Sequence, residues 1–205
     1  MGSSLAGRTN FFVSSLTIRL IKGVFMRPFK NSTRSSVDHK NSTPHSSLLQ
    51  IEREFEVSIS RLFEAFKTSE ALKVWWWPQG LHADLIDIDF RKGGRYFINM
   101  KGHDQAGGGM TGIFEDIIEN ECIVMTDQFS DKNGHAISAQ EAKMPGTWPE
   151  IIYITFDFES VSENKSRFLL SQEGIPNAMQ KDCIQGWTES FDKLETSLAG
   201  RKRNE

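Results

Sequence analysis

Residues 177–199 read NAMQKDCIQGWTESFDKLETSLA and decide the fold. Their apolar side chains recur at steps of three and four residues: Met179, Cys183, Ile184, Trp187, Phe191, Leu194 and Leu198. That spacing places the apolar side chains on one face of a helix and leaves polar side chains for solvent. The stretch therefore predicts one long amphipathic helix, which needs an apolar surface to pack against.

The chain before this helix begins with a strand and two short helices. Residues 49–59 alternate apolar and polar side chains with period two, as a half-buried strand does. Residues 60–66 have helical spacing behind Ser60, which we expect to cap that helix. A second short helix runs into residues 75–78 (WWWP), where the proline ends it.

The middle of the sequence predicts the apolar surface. Residues 81–173 contain short alternating runs at hairpin spacing, with the Gly-rich segment 102–109 as one of the predicted turns and residues 130–149 as a long loop. Such runs are typical of an antiparallel meander. The predicted fold class is therefore α+β, a helix-grip arrangement in which a curved antiparallel sheet wraps around the long C-terminal helix.

Charge is distributed unevenly along the 205 residues. The chain has 24 basic and 27 acidic side chains; residues 1–47 hold seven of the basic and one of the acidic ones, which leaves 17 and 26 for the rest. We expect a disordered basic extension (1–47), one domain (48–200) and a polar tail (201–205). The acidic domain lacks the basic footprint of a nucleic-acid-binding protein.

Residues 11–26 are the one apolar segment of the basic extension. Arg19 and Lys22 interrupt the segment, which makes it too short and too charged for a spanning helix, so no stable membrane insertion is expected. Three interpretations stay open: a transit or membrane-surface helix, a disordered extension, or a true start at Met26. The expected location is cytoplasmic, with organelle targeting as the alternative.

Several short motifs occur in a fixed order along the domain. They are Arg53 in the first strand, WWWP at 75–78, DFRKGGR at 89–95, GIFE at 112–115, EGIP at 173–176, and Gly186-Trp187 through Leu194. Together they resemble the START-like SRPBCC superfamily, in the branch homologous to the C-terminal domain of the heat-shock-protein-90 ATPase activator. The resemblance covers about residues 48–200. It implies a hydrophobic cavity between the sheet and the long helix.

The predicted ligand contacts combine apolar strand positions, the three adjacent tryptophans at 75–77 (the tryptophan block) and the long helix. They are Arg53, Trp76, Phe97, Phe114, Met125, Ile152, Ile154, Phe168, Trp187 and Phe191. Arg53 is a cation on an apolar strand face, so it either anchors an acidic or carbonyl group of a ligand or pairs with a protein carboxylate. Asp127 and Asn99 also interrupt the apolar positions of alternating strands and could supply polar groups that face the interior.

The preferred functional hypothesis is binding of a small hydrophobic or amphipathic ligand in an internal cavity, without covalent chemistry. The alternatives are a chaperone-interacting module and a cyclase- or hydrolase-like enzyme, for which Glu150 and Asp157 are candidate bases. No cofactor, metal or catalytic residue is predicted, because no histidine pair has ligand spacing and two cysteines are too few for a thiolate site. Exposed tryptophan in residues 75–77 leaves monomer and homodimer open.

Overall fold

A computed structural model describes residues 46–102 and 107–200 of the chain. The elements in order are β1 (Ser46–Phe55), α1 (Ile59–Glu64), α2 (Ser69–Leu72), β2 (Leu81–Ile88), β3 (Arg95–Gly102), β4 (Gly107–Ile118), β5 (Cys122–Ser130), β6 (Ile152–Ser162), β7 (Lys165–Pro176) and α3 (Gln180–Gly200). A short 3₁₀ turn, Asn177–Met179, leads into α3. The basic extension up to residue 45 and the tail 201–205 lie outside the described residues, as do the predictions made for them.

The seven strands form one curled antiparallel sheet in the order β1-β7-β6-β5-β4-β3-β2. Strands β2 to β7 follow each other as a meander, and β1 joins the β7 edge. The predicted meander, the long C-terminal helix and the two short helices after the first strand are all present. The helix-grip α+β fold is therefore confirmed.

The apolar face of α3 packs against the sheet through aromatic side chains. Phe191 is fully buried, and its ring centroid lies 4.7 Å from that of Phe168 on β7. Phe168 in turn lies 5.3 Å from Phe55 on β1. Burying one such side chain contributes about 2–3 kcal/mol, so these contacts hold the helix on the β1–β7 side of the sheet.

The junction between β1 and α1 differs from the prediction. The strand ends at Phe55, and Ser58 rather than Ser60 caps the helix, because its Oγ accepts a hydrogen bond from the Arg61 backbone N–H at 3.4 Å. Val57 continues the period-two pattern past the end of the strand. It does so because it is buried in the turn, so alternation alone could not locate the boundary.

The glycines of the predicted turn 102–109 belong to strands instead: Gly102 ends β3, and the three glycines at 107–109 begin β4. Gly108 and Gly109 pair with Met100 and Asn99 of β3. A Cβ atom on Gly109 would lie 2.1 Å from the Ser130 Oγ atom on β5, so a larger residue does not fit there. Close packing between strands, and not a turn conformation, requires glycine at this position.

Within residues 46–102 and 107–200, no helix combines the length and the apolar character that crossing a membrane would require.

Candidate functional site

An apolar cavity lies between the short helices and the concave face of the sheet. It is lined by Phe66, Leu72, Trp76, Ile88, Phe90, Tyr96, Ile98, Phe114, Ile123, Met125 and Phe156. Its volume is about 10 Å³, which is close to the least that holds one water molecule. The interior is therefore closed by protein side chains, and a ligand of several carbon atoms enters only if some of them move.

The lining is not equally buried on all sides. Trp76, Ile88 and Phe90 are half-buried, whereas the other lining side chains are buried. Trp76 follows α2, Ile88 ends β2, and Phe90 follows that strand. The cavity is thus closest to solvent between the tryptophan block and the β2 edge. Side chains there are only half-buried, so their movement breaks the fewest packing contacts.

A polar cluster adjoins the apolar lining. The Tyr96 hydroxyl lies 2.5 Å from Asp127 Oδ1 and 2.8 Å from the Thr126 carbonyl oxygen. Tyr96 is 2% exposed and Asp127 is 5% exposed. The cluster therefore places a carboxyl group inside the protein; Asp127 does not line the cavity itself but is hydrogen-bonded to Tyr96, which does.

Strand register and one glycine bring the two side chains together. Tyr96 on β3 pairs with Gly112 on β4, and Thr111 beside that glycine pairs with Gln128, which places Asp127 of β5 opposite Gly112. A Cβ atom on Gly112 would lie 2.9 Å from the Tyr96 ring. The absence of a side chain therefore lets the tyrosine cross β4 and reach a residue two strands away.

Burial controls the ionisation of the cluster. Removal from water raises the pKa of Asp127 to about 7, although hydrogen bonds from Tyr96 and from the Gln128 backbone N–H act to lower it. Burial, together with the charge of Asp127 and the hydrogen bond to it, raises the pKa of the Tyr96 hydroxyl well above its ordinary value. The phenol is thus neutral, and Asp127 is the group that titrates near neutral pH.

Three of the sequence-predicted site residues line this cavity, namely Trp76, Phe114 and Met125. Four others are buried in the apolar core beside it and do not line it: Ile152, Ile154, Phe168 and Phe191. Trp187 is half-buried; its ring centroid lies 5.3 Å from that of Trp76, and its Nε1–H donates to Gln172 Oε1 at 2.8 Å. Trp187 therefore supports the cavity wall from behind.

Phe97 lies on the opposite face of the sheet. Its neighbours Tyr96 and Ile98 both line the cavity, so strand alternation turns Phe97 away from it. Gly134, in the loop after β5, packs on the Phe97 ring, since a Cβ atom built there would lie 3.0 Å from it. Phe97 thus covers the outer face of β3.

Arg53 reaches toward α3 and not into the cavity. Its guanidinium lies 2.6 Å from Asp192 and 2.6 Å from Glu195, on the half-exposed edge between β1 and α3. Burial acts to lower the pKa of Arg53, but hydrogen bonds to these two carboxylates outweigh it and raise the pKa. Of the two uses considered for this cation, the structure provides the protein ion pair.

The sequence reasoning missed Tyr96 and Gly112. Asp127 was recognised as a polar residue in an apolar strand, but the facing of its side chain depended on the register. A glycine in the middle of an alternating strand, at position 112, was the available signal for a close approach by a neighbouring side chain.

Solved structures of similar fold come from several bacteria. The AHSA1 protein from Silicibacter pomeroyi is 25% identical over 76% of this chain and 99% of its own, with a TM-score of 0.62. A protein from Chromobacterium violaceum is 23% identical over 76% of this chain and 98% of its own, with a TM-score of 0.62. A protein from Staphylococcus epidermidis is 19% identical over 78% of this chain and 93% of its own, with a TM-score of 0.60.

No curated protein sequence matches the chain at a significant level. A family model does, and its description is "Activator of Hsp90 ATPase homolog 1-like protein". The match spans residues 56–199, from the end of the first strand almost to the end of the long helix. The chain therefore belongs to the family of Activator of Hsp90 ATPase homolog 1-like proteins, as the ordered motifs predicted.

Proposed function

We propose that this protein binds a small apolar or amphipathic molecule in its interior, between the tryptophan block and the β2–β5 part of the sheet, without covalent chemistry of its own. The observation that carries the proposal is the composition of the interior around the small closed cavity. All eleven lining residues are aromatic or aliphatic, and a buried polar pair adjoins them. Apolar walls with few polar groups are typical of small-molecule sites.

Ligand binding is coupled to opening in this proposal. The closed cavity of about 10 Å³ has no room for a ligand, so the half-buried wall of Trp76, Ile88 and Phe90 moves outward as the ligand enters. A ligand stabilises the open form to the extent that it binds this form more tightly than the closed form. Affinity comes from apolar area buried at roughly 25 cal/mol per Å², reduced by the cost of opening.

The second candidate is contact with a chaperone through the outer surface. The small volume of the interior favours it, because a surface role needs no cavity. The family description names an activator of the Hsp90 ATPase, which makes an Hsp90-type chaperone the partner to test. This candidate predicts saturable binding to the chaperone that does not depend on residues of the cavity.

Native mass spectrometry of protein purified from its own host separates the two candidates. Ligand binding predicts an adduct that dissociates on collisional activation. Ligand binding would be contradicted if the spectrum showed the apo mass alone and if no compound in a panel of small apolar molecules raised the melting temperature. Retention of the host's Hsp90-type chaperone on the immobilised protein supports the second candidate, and absence of retention removes it.

Trp76→Ala tests the opening step. The substitution removes the largest half-buried part of the cavity wall, so we expect faster association and faster dissociation of any bound apolar probe. Trp77→Ala is the matched control: it removes the adjacent tryptophan, which is not part of the lining and lies under the Lys193 ammonium group at 5.5 Å. Equal exchange rates in both variants would argue against entry past Trp76.

A further inference from the structure

Two acceptors lie within reach of the single proton that the Tyr96 hydroxyl can donate. The Thr126 carbonyl oxygen and Asp127 Oδ1 both lie within hydrogen-bond distance of the Tyr96 hydroxyl, at 2.8 and 2.5 Å. A carbonyl and an ionised carboxylate only accept, and a phenol has a single proton to donate. When Asp127 is ionised, one of the two acceptors therefore has no donor from Tyr96.

The ionised carboxylate still accepts from the Gln128 backbone N–H, but its negative charge is buried without a cation beside it in the described part of the chain, and an unpaired buried charge destabilises the protein. A proton on Asp127 removes this charge and lets both hydrogen bonds of Tyr96 form at once: Asp127 donates to the Tyr96 oxygen, and Tyr96 donates to the Thr126 carbonyl. A ligand that brings its own donor would take the place of that proton.

The surroundings of Asp127 contain no competing cation among the described residues. Only the Tyr96 hydroxyl and the Gln128 backbone N–H act on its ionisation besides burial. Arg53 is held by carboxylates of α3, and the Lys193 ammonium donates to backbone carbonyl oxygens after α2. A positive charge on a ligand would thus be the counterion that this carboxylate lacks.

The cavity wall is suited to the same charge. Six of its eleven lining residues are aromatic: Phe66, Trp76, Phe90, Tyr96, Phe114 and Phe156. The faces of aromatic rings attract cations. A ligand carboxylate would instead place a second acid beside Asp127, which disfavours its ionised form.

We propose that the interior selects ligands that present a protonated amine on a small apolar body, with the amine paired to Asp127 and the body against the aromatic wall. This inference rests on the proposed function, because it names the ligand class of the same cavity. It replaces the expectation of an acidic ligand anchored by Arg53, since that guanidinium is held by Asp192 and Glu195.

Three probes of similar size test the selection: 2-phenylethylamine, 2-phenylethanol and 3-phenylpropanoate, titrated by isothermal calorimetry into the full chain. We expect the amine to bind at least about tenfold more tightly than the alcohol or the carboxylate, as one charge-assisted hydrogen bond allows. Asp127→Asn should abolish this preference. Asp87→Asn makes the same change of charge at an exposed position on β2 and should preserve it.

Tyr96→Phe provides a second variant in case Asp127→Asn does not fold. It removes the hydroxyl that competes for Asp127 and leaves the carboxyl in place. The preference for the amine over the alcohol and the carboxylate should then be retained, because the carboxyl group that pairs with the amine is still present. A lost preference would contradict the inference.

The outcomes separate this inference from the proposed function. Equal binding of the three probes, or a preference that survives Asp127→Asn, overturns the amine selection and leaves ligand binding standing. Failure of all three probes to bind the wild type, with no adduct in native mass spectrometry, overturns both.

Discussion

The buried carboxyl group gives the sharpest test of the interior electrostatics. Asp127 has an ordinary pKa of 3.8 and a pKa of about 7 in the folded protein. Between these values the folded state binds a proton that the unfolded state does not. The free energy of unfolding therefore falls as pH rises through this range, and it levels off above the folded-state pKa. We expect Asp127→Asn to remove this dependence.

The magnitude follows from the size of the shift. One pKa unit corresponds to about 1.4 kcal/mol, so the whole shift costs the wild type about 4 kcal/mol. About 3 kcal/mol of this cost appears between pH 5 and pH 8, where the measurement is practical. Relative to the wild type, Asp127→Asn should thus become more stable by about that amount across the same interval.

Urea unfolding at pH 5, 6, 7 and 8, followed by tryptophan fluorescence, measures the difference directly. Carboxylates with lowered pKa values, such as Glu54 and Asp84, change stability in the opposite direction, but mainly below pH 5 and equally in both proteins. Asp87→Asn should show no pH-dependent difference. A difference for Asp127→Asn that stays flat, or that falls as pH rises, would refute a protonated buried carboxyl.

Three further substitutions test the contacts that build the site. Gly112→Ala should lower the free energy of unfolding by about 2 kcal/mol, because the added Cβ would meet a backbone carbonyl oxygen at 2.0 Å. The control Gly108→Ala, with open space around that glycine, should change the free energy of unfolding by less than about 0.5 kcal/mol. Equal effects of the two substitutions would contradict the crossing of β4 by the Tyr96 side chain. Trp187→Phe should cost about 1–3 kcal/mol in urea unfolding because it leaves the buried Gln172 side chain without its donor, and a neutral change would contradict that bond. Arg53→Met should lower the free energy of unfolding by no more than about 1 kcal/mol at low salt, because the ion pair with Asp192 and Glu195 is partly exposed. This loss of stability should become smaller in 1 M NaCl. A larger loss that does not depend on salt would point to another role for Arg53.

Periodicity predicted the fold because the elements are long and bury one face each. Apolar steps of three and four residues located α3, and period-two alternation located the strands of the meander. Boundaries were less predictable where a turn buries the next apolar residue, as at Val57, or where glycine packs within a strand, as at Gly109. Both cases depend on tertiary neighbours that a local pattern does not contain.

The candidate site was predictable only in part. The sequence indicated Trp76, Phe114 and Met125 as cavity positions, because each is apolar and lies in or beside a predicted element. Cavity lining and solid core have the same composition, so the sequence could not show that Ile154 is simply packed. The pairing of Asp127 with Tyr96 requires the register of three strands, which no local pattern supplies.

The most direct test of ligand binding inside the fold is an NMR experiment on protein labelled at methionine and isoleucine methyl groups, with 2-phenylethylamine added. We expect nuclear Overhauser effects from the probe to the cavity methyls of Met125, Ile98 and Ile123, with none to the exposed Ile118 and Ile184. Contacts confined to the exposed methyl groups, or none at all at saturating probe, would contradict the claim that the interior opens to hold a ligand.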